Sequence, residues 1–390
     1  MSPLSNAYLT AEQTGKMEPF YPLHVYVCGA CFLVQLEEIQ SPQNIFSDYA
    51  YFSSYSDTWL KHAQDYAEQV TKRFELSPAS LVVEIASNDG YLLQYFKRAG
   101  VPVLGIEPAE NVSRIAQEAG IPTRAEFFGT TFATRLAAEG KHADLLVGNN
   151  VLAHVPDLND FVAGMKILLK RGGAITLEFP HLLRLMEHNQ FDTIYHEHFS
   201  YFSFATAEKV LGRHGLTVFD VEELATHGGS LRLYACHADD RSHIVTPNPE
   251  RLRERESRSG LTELSTYASF SEQVRETKRA LLTFLIETKR KGQSIVGYGA
   301  PAKGNTLLNY CGIGTDFLDY TVDRNPHKQG RYLPGTHIPI YAPEKIVETK
   351  PNYVLILPWN LKDEIIEQMA VVRRWGGKFV VPIPQVMVYG

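Results

Sequence analysis

The 390-residue chain carries 38 Lys and Arg against 44 Asp and Glu, a formal net charge of −6, with 44% hydrophobic and 21% charged residues. That balance describes a chain that folds throughout, calls for two or three folded units, and offers no broad basic face for nucleic acid. No apolar run reaches the roughly 18 residues that cross a bilayer, and the start MSPLSNAYLTAEQTGK lacks the basic and apolar parts of a secretory signal, so a cytoplasmic protein with no membrane partner is expected.

Residues 1 to about 60 hold short apolar runs (PLHVYVC, FLVQL), the pair Cys28-x-x-Cys31 and an aromatic stretch, and read as a small β-rich lobe. Helical spacing runs from Trp59 to Phe74, where Ser77-Pro78 stops it. Strand and helix then alternate: LVVEIAS, YLLQYFKRAG, VPVLGIEP, NVSRIAQEAG, DLLVGNN, FVAGMKILLKRGG and GAITLEFP. Alternation of this kind predicts βαβ units and a parallel sheet. TPNPERLRERESRSG reads as a polar connector and Leu261 to Lys291 as a long amphipathic helix; a second α/β block follows, from SIVGYGA through AKGNTLLNYCG, FLDYTVDRN, NYVLILPW and LKDEIIEQMAVVRRWG to KFVVPIP.

In an open parallel sheet, ligands bind where strands end and helices begin. Glu84, Ala86, Asn88, Asp89 and Gly90 occupy such a turn. One strand later come Glu107 and Pro108, where an acidic tip can accept both hydroxyls of a ribose. Asn149, Asn150 and His154 follow a further strand. Dinucleotide turns usually carry three glycines, and this one has a single glycine; the alternative is a structural βα turn. Tyr195-His196-Glu197-His198 sets base-like groups side by side, and imidazole ionises nearest neutral pH. If the segment is extended, its period of two puts His196 and His198 on one face. The spacing is not the helical H-E-x-x-H of a zinc protease, although satisfied structural histidines remain the plainer alternative.

The runs YPLHVYVCGACFLVQL, YAYFSSYS, EIASNDGYLLQYF, GIEPAENV, NNVLAHVPD, EFPHLLRL, FDTIYHEHFSYFS, THGGSLR and GYGAPAKGNTLLNYCGIG resemble the S-adenosylmethionine-dependent sugar C-methyltransferases, which methylate the carbon beside the ketone, C-3, of a nucleotide-linked 4-keto-deoxysugar. The resemblance implies a mixed α/β chain in three parts: a zinc-binding-like N-terminal lobe over 1–60, a Rossmann-like methyltransferase domain over 61–245, and a helical connector with a C-terminal Rossmann-like substrate domain over 246–390. It implies S-adenosylmethionine at the turn and strand ends just named. It makes His198 the base, with Tyr195, Glu197 and an N-terminal tyrosine, taken as Tyr49, assisting. His181, His196, Arg232, Tyr298, Lys303, Asn305 and Thr306 become candidate contacts to a nucleotide-linked keto-sugar, bound by a monomer in a cleft between the α/β domains.

Two features strain this reading. Structural zinc wants four ligands; Cys28 and Cys31 supply two, residues 1–27 hold no cysteine, and His24 is the nearest substitute, the alternative being two small buried thiols. The block Gly297-Tyr298-Gly299, Gly304 and Asp323 imitates a dinucleotide site, so an NAD-dependent oxidoreductase is the rival. Lys303 at the helix start suits a diphosphate, which fits a sugar nucleotide at least as well. Transfer to oxygen or nitrogen, and a non-catalytic methyltransferase scaffold, also stay open.

Overall fold

A computed structural model describes residues 1–41, 53–55 and 57–390. Contacts divide the chain into two compact units, each assembled from separate stretches. The middle unit comprises Val27–Leu183 and Glu197–Thr262; the terminal unit comprises Met1–Tyr26, Arg184–His196 and Glu263–Gly390. Where the sequence suggested three consecutive segments, the short stretch Arg184–His196 groups with the C-terminal α/β block.

Strand β1 (Val25–Val27) lies where the chain passes from the terminal to the middle unit, and β2 (Val34–Leu36) follows it. The main sheet of the middle unit has seven strands: β3 (Val82–Ile85), β4 (Val103–Ile106), β5 (Thr123–Arg124), β6 (Ala143–Asn149), β7 (Leu169–Pro180), β9 (Leu216–Leu224) and β10 (Ser230–His237). Their spatial order is β5-β4-β3-β6-β7-β10-β9. β10 runs antiparallel to both its neighbours, while β3 to β7 are parallel. β3 and β4 are buried along their whole length because helices cover both faces, which is why they read as continuous apolar runs. The short strand β8 (Ser200–Tyr201) pairs with β2, Val34 opposite Tyr201.

Local chemistry sets the helix starts. Asp157 accepts from the main-chain N–H of Asp160 at the head of Leu158–Leu168, and Ser203 does the same for Thr206 at the head of Phe204–Arg213. Two expectations fail here. β7 begins at Leu169 rather than at the glycine pair, with Gly172 at φ 82 allowing the bend where the pairing with β6 shifts register. The polar connector contains a helix, Asn248–Arg258. Its inward face is only Pro249, Leu252 and Glu256, too little apolar surface to show as a periodic pattern.

The terminal unit holds a six-stranded sheet of β11 (Ile295–Tyr298), β12 (Thr321–Val322), β13 (Ile340–Tyr341), β14 (Tyr353–Ile356), β15 (Lys378–Val381) and β16 (Met387–Tyr389), ordered β13-β12-β11-β14-β15-β16. All pairings are parallel except β15 with β16, a strand the sequence did not reveal. The amphipathic helix Leu264–Arg290 contributes Val274, Leu281 and Leu285 to this unit's core. The chain is therefore mixed α/β with two Rossmann-like sheets, as expected from the sequence.

Candidate active site

The carboxyl end of β3 opens into a tight turn whose backbone is unusual. Ala86, Asn88 and Gly90 have φ of 57, 49 and 80, and Asn150, just past β6, has φ 53. Left-handed non-glycine residues are held only where surrounding contacts over-determine them, and they cluster at functional sites. At Gly90 a Cβ would stand 2.8 Å from Ile121 Cγ1, so glycine is required for close packing as well as conformation.

Acceptor oxygens crowd this corner. Glu107 accepts from the main-chain N–H of Asn88 (3.0 Å) and of Ala109 (2.9 Å), one on each oxygen. Asn88 Oδ1 accepts from the N–H of Ser53 at 2.9 Å, and Asp89 Oδ2 from the hydroxyl of Ser54 at 2.6 Å. Buried atoms with no partner among the described residues remain: Glu84 Oε2, Ser87 Oγ, Asp89 Oδ1, Asn149 Oδ1 and Asn150 Oδ1. Burial, then the charges of Glu107 and Asp89, pushes the Glu84 carboxyl well above its usual range; burial likewise raises Glu107, against the pull of its two N–H donors. An acceptor-rich, negatively biased corner wants a ligand that is cationic and donor-rich. S-adenosylmethionine, with its ammonium, sulfonium, adenine amino and ribose hydroxyl groups, fits that description. Pro108 completes the tip of the second strand.

His154 follows β6 and lies edge-on to His198, ring centroids 4.7 Å apart, and the Tyr201 ring stands 6.1 Å from His198. Burial pushes His154 down to about 4, opposed by a bond to the main chain of Glu197, so it is a neutral neighbour to His198 at physiological pH. Expected at the cofactor, His154 instead packs against the candidate base. Glu197 is buried and His198 partly exposed. Residues 195–197 form a bend and turn rather than an extended segment, so His196 and His198 do not share a face. His196 turns within the terminal unit, bonded to the carbonyl of Pro22 at 2.9 Å and packed edge-on against Tyr21. That bond, with burial, removes it from the substrate candidates. Tyr195 is partly exposed in the terminal unit, and Tyr49 lies outside the described residues.

Two further expectations are corrected. His181 is buried with Nε2 bonded at 2.7 Å to Glu256, whose carboxylate also accepts the N–H of Phe204 (2.6 Å) and Ala205 (2.9 Å) at a helix start. Its role is structural. Arg232 is 2% exposed, bonds Glu178 at 2.9 Å and lies 4.5 Å over the Tyr66 ring. Glu178 also holds His62 and Thr226; burial pushes its carboxyl up, but the His62 bond and the Arg232 charge together hold it below the usual value. Arg232 is committed to that cluster rather than to a nucleotide. Sequence reasoning missed His62, Glu178 and Ser54, which join elements far apart in the chain.

In the terminal unit, Gly299 has φ 91, and a Cβ there would meet Pro358 Cδ at 2.5 Å. Lys303, in the first turn of helix Ala302–Cys311, donates to Asn360 Oδ1 (2.8 Å) with its ammonium 4.6 Å from the Trp359 ring centroid. Asn305 is 1% exposed and its Nδ2 has no partner. Thr306 faces Ser5 (3.4 Å) and Tyr298 faces Gln368 (3.5 Å), so both hydroxyls point into protein. Asp323, at the end of the second strand of this unit, accepts from the N–H of Ala300 and of Asn325, each at 2.8 Å, as Glu107 does from Asn88 and Ala109 in the middle unit. The Ala300 carbonyl beside Asp323 accepts from Tyr8 (2.6 Å) and Lys328 (2.9 Å).

Cys28 and Cys31 are free thiols, and main-chain N–H groups of Ala30 and Cys31 hold Cys28 below its usual value. Among the described residues no group of three or more His, Cys, Asp or Glu could hold a metal ion. Cys28 and Cys31 supply two of the four ligands that structural zinc wants, and the described residues do not complete the set. No helix among the described residues is long and apolar enough to cross a membrane.

Three family models match the chain: "Putative zinc binding domain" over residues 1–46, "Methyltransferase domain" over 59–221 and "C-methyltransferase C-terminal domain" over 225–384. The C-methyltransferase NovU of Streptomyces niveus is 35% identical over 387 residues, covering 98% of this chain and 91% of that protein. The ubiquinone biosynthesis O-methyltransferase of Bartonella quintana (strain Toulouse) is 27% identical over 116 residues, 28% of this chain and 47% of that protein. Among solved structures, PH0226 protein from Pyrococcus horikoshii OT3 matches with a TM-score of 0.40 at 15% identity, covering 50% of this chain and 97% of that one.

Proposed function

Since this chain belongs to the C-methyltransferase family, as an S-adenosylmethionine-dependent enzyme, we propose that its substrate is a nucleotide-linked 4-keto-deoxysugar methylated at C-3, a carbon beside the ketone. The observation that carries the reading is the pairing of His198 with a neutral His154 immediately beyond β6, in the same unit as the acceptor-lined turn. Carbon is a poor nucleophile until a proton leaves it. A base near neutrality is therefore the group this reaction most needs, worth roughly 100- to 10,000-fold.

When bound, S-adenosylmethionine supplies the electrophilic methyl group. Glu107 would hold its ribose, and Glu84, Asp89 and Asn149 its donor groups. His198 takes the proton from the carbon beside the ketone, the C–H electron pair moving into an enolate. Glu197, in the same unit, assists. His154, uncharged, packs on the His198 ring without competing for the proton. Considered by itself, the terminal unit offers Lys303 and Asn305 as contacts for a diphosphate at the start of helix Ala302–Cys311, where backbone N–H groups add to the attraction for an anion.

The test is incubation with methyl-labelled cofactor and a panel of dTDP-, CDP- and GDP-linked 4-keto-deoxysugars, followed by product NMR. A new carbon-bound methyl at C-3 is expected, with exchange of the C-3 proton in heavy water without methyl donor. Methyl on the other α carbon, C-5, would correct the position alone; methyl on oxygen or nitrogen would overturn the enolate route.

A further inference from the structure

Asp192 belongs to the turn Phe191–Thr193, in the same unit as helix Ala302–Cys311, and is fully buried. Its Oδ2 accepts from the Trp359 indole N–H at 2.7 Å, while Oδ1 has no hydrogen-bond partner among the described residues. The other side of this arrangement is Lys303, whose ammonium lies over the same indole. The titratable groups facing Asp192 are Lys303 and Cys311 from helix Ala302–Cys311; Trp359 faces it from the turn Trp359–Leu361, and main-chain N–H groups of Asp192 and Thr193 complete its surroundings. Lys303 is the cation of that set. Phe191 fixes the turn against Tyr310, ring centroids 5.1 Å apart, so the carboxyl cannot readily swing to solvent.

We propose that Asp192 is a proton-linked positioning residue for nucleotide binding: it balances Lys303 while no diphosphate is bound, and takes a proton from solvent when one arrives. This rests on the reading of Lys303 as a diphosphate contact. A diphosphate at the helix start draws the ammonium's field to itself, leaving a buried carboxylate with one bare oxygen and no counter-charge. Such a group is neutralised rather than left charged in a low dielectric. The change is a single O–H bond formed at Oδ1 with a proton from the buffer; no other bond forms or breaks.

The sign follows from linkage. Burial pushes Asp192 up to about 7, opposed by the Lys303 charge and the Trp359 bond. A bound diphosphate weakens the first opposition, so the pKa rises on binding and protons are taken up. Affinity therefore falls as pH rises through neutrality, by at most about tenfold per pH unit for one proton.

Calorimetric titration of the full chain with dTDP-glucose, CDP-glucose and GDP-mannose, in buffers of different ionisation heat, reads this directly. These diphosphate diesters do not themselves titrate near neutrality. The wild type is expected to take up a fraction of a proton near pH 7. Asp192→Asn should abolish the uptake and flatten the pH dependence, and Lys303→Met should abolish binding, with both melting near the wild type. Should Asp192→Asn fail to fold, Trp359→Phe replaces it: loss of the indole N–H moves the uptake window to higher pH. Wild-type binding without proton uptake, or uptake that survives in Asp192→Asn, overturns the inference and leaves the nucleotide reading standing. If the wild type binds none of the three, or Lys303→Met binds as well as the wild type, the diphosphate reading itself fails and takes the inference with it.

Discussion

At the first βα turn of the middle unit, Ala86, Asn88 and Gly90 all take positive φ, and Glu84, Ser87 and Asp89 keep buried polar atoms without protein partners. At the corresponding turn of the terminal unit Gly299 carries the positive φ, and the nearby acid, Asp323, has both oxygens bonded to main-chain N–H groups. Strand order and turn placement are alike in the two sheets. Ligand preference is legible instead in which hydrogen bonds the protein leaves unmade. The acids at the tips of the two second strands, Glu107 and Asp323, are engaged alike by main-chain N–H groups; the turns differ in the open Glu84, Ser87 and Asp89 atoms of the middle one and in the Ala300 carbonyl of the terminal one, which Tyr8 and Lys328 already hold.

That contrast can be broken in several places, the largest effect first. His198→Asn should lower turnover by roughly 100- to 10,000-fold while cofactor affinity, measured by calorimetry, stays near wild type. Full activity in this variant would move the chemistry away from the middle unit's carboxyl edge. Glu256→Ala tests a carboxylate that is satisfied: His181 and two helix N–H groups lose their acceptor together, for about 3–5 kcal/mol of stability in a denaturant titration. Glu107→Gln tests the carboxylate at the tip of the second strand, which two main-chain N–H groups orient, and should weaken cofactor binding by about 1.5–3 kcal/mol. Its wild-type pH dependence has a definite sign. Because burial raises the Glu107 pKa, cofactor affinity should fall as pH drops from neutrality through that raised value, and flatten in the Gln variant. The smallest effect is expected at Tyr8→Phe, which removes one bond to the Ala300 carbonyl for about 1 kcal/mol of stability; wild type and variant alike should show no melting shift with NAD. A clear NAD shift would erase the distinction between the two turns.

Much of the fold was readable because strand and helix periodicity is local. The turn 84–90, the tip at Glu107 and the end of β6 at Asn149 fell where alternating apolar runs put them. What was not readable depends on contacts between distant residues. His181 and Glu256 meet across 75 residues, and His62 meets Glu178 across 116, so no spacing rule could mark His181 as structural or His62 as a partner. Arg232, with a basic side chain beside a glycine pair, looked available for a nucleotide until its buried ion pair was seen. The period of two that would put His196 and His198 on one face holds only in an extended segment, and residues 195–197 form a bend and turn. Helix Asn248–Arg258 hid behind its charge, since three inward residues do not make a visible stripe.

The backbone changes unit four times, at Tyr26/Val27, Leu183/Arg184, His196/Glu197 and Thr262/Glu263. Synthesis from the N-terminus therefore meets the two units unequally. All the segments of the middle unit have left the ribosome once residue 262 is clear, whereas the first 26 residues must wait for nearly the entire polypeptide before their β-sheet exists to receive them. A premature stop after 262 would leave both the leading segment and Arg184–His196 without the α/β block they group with.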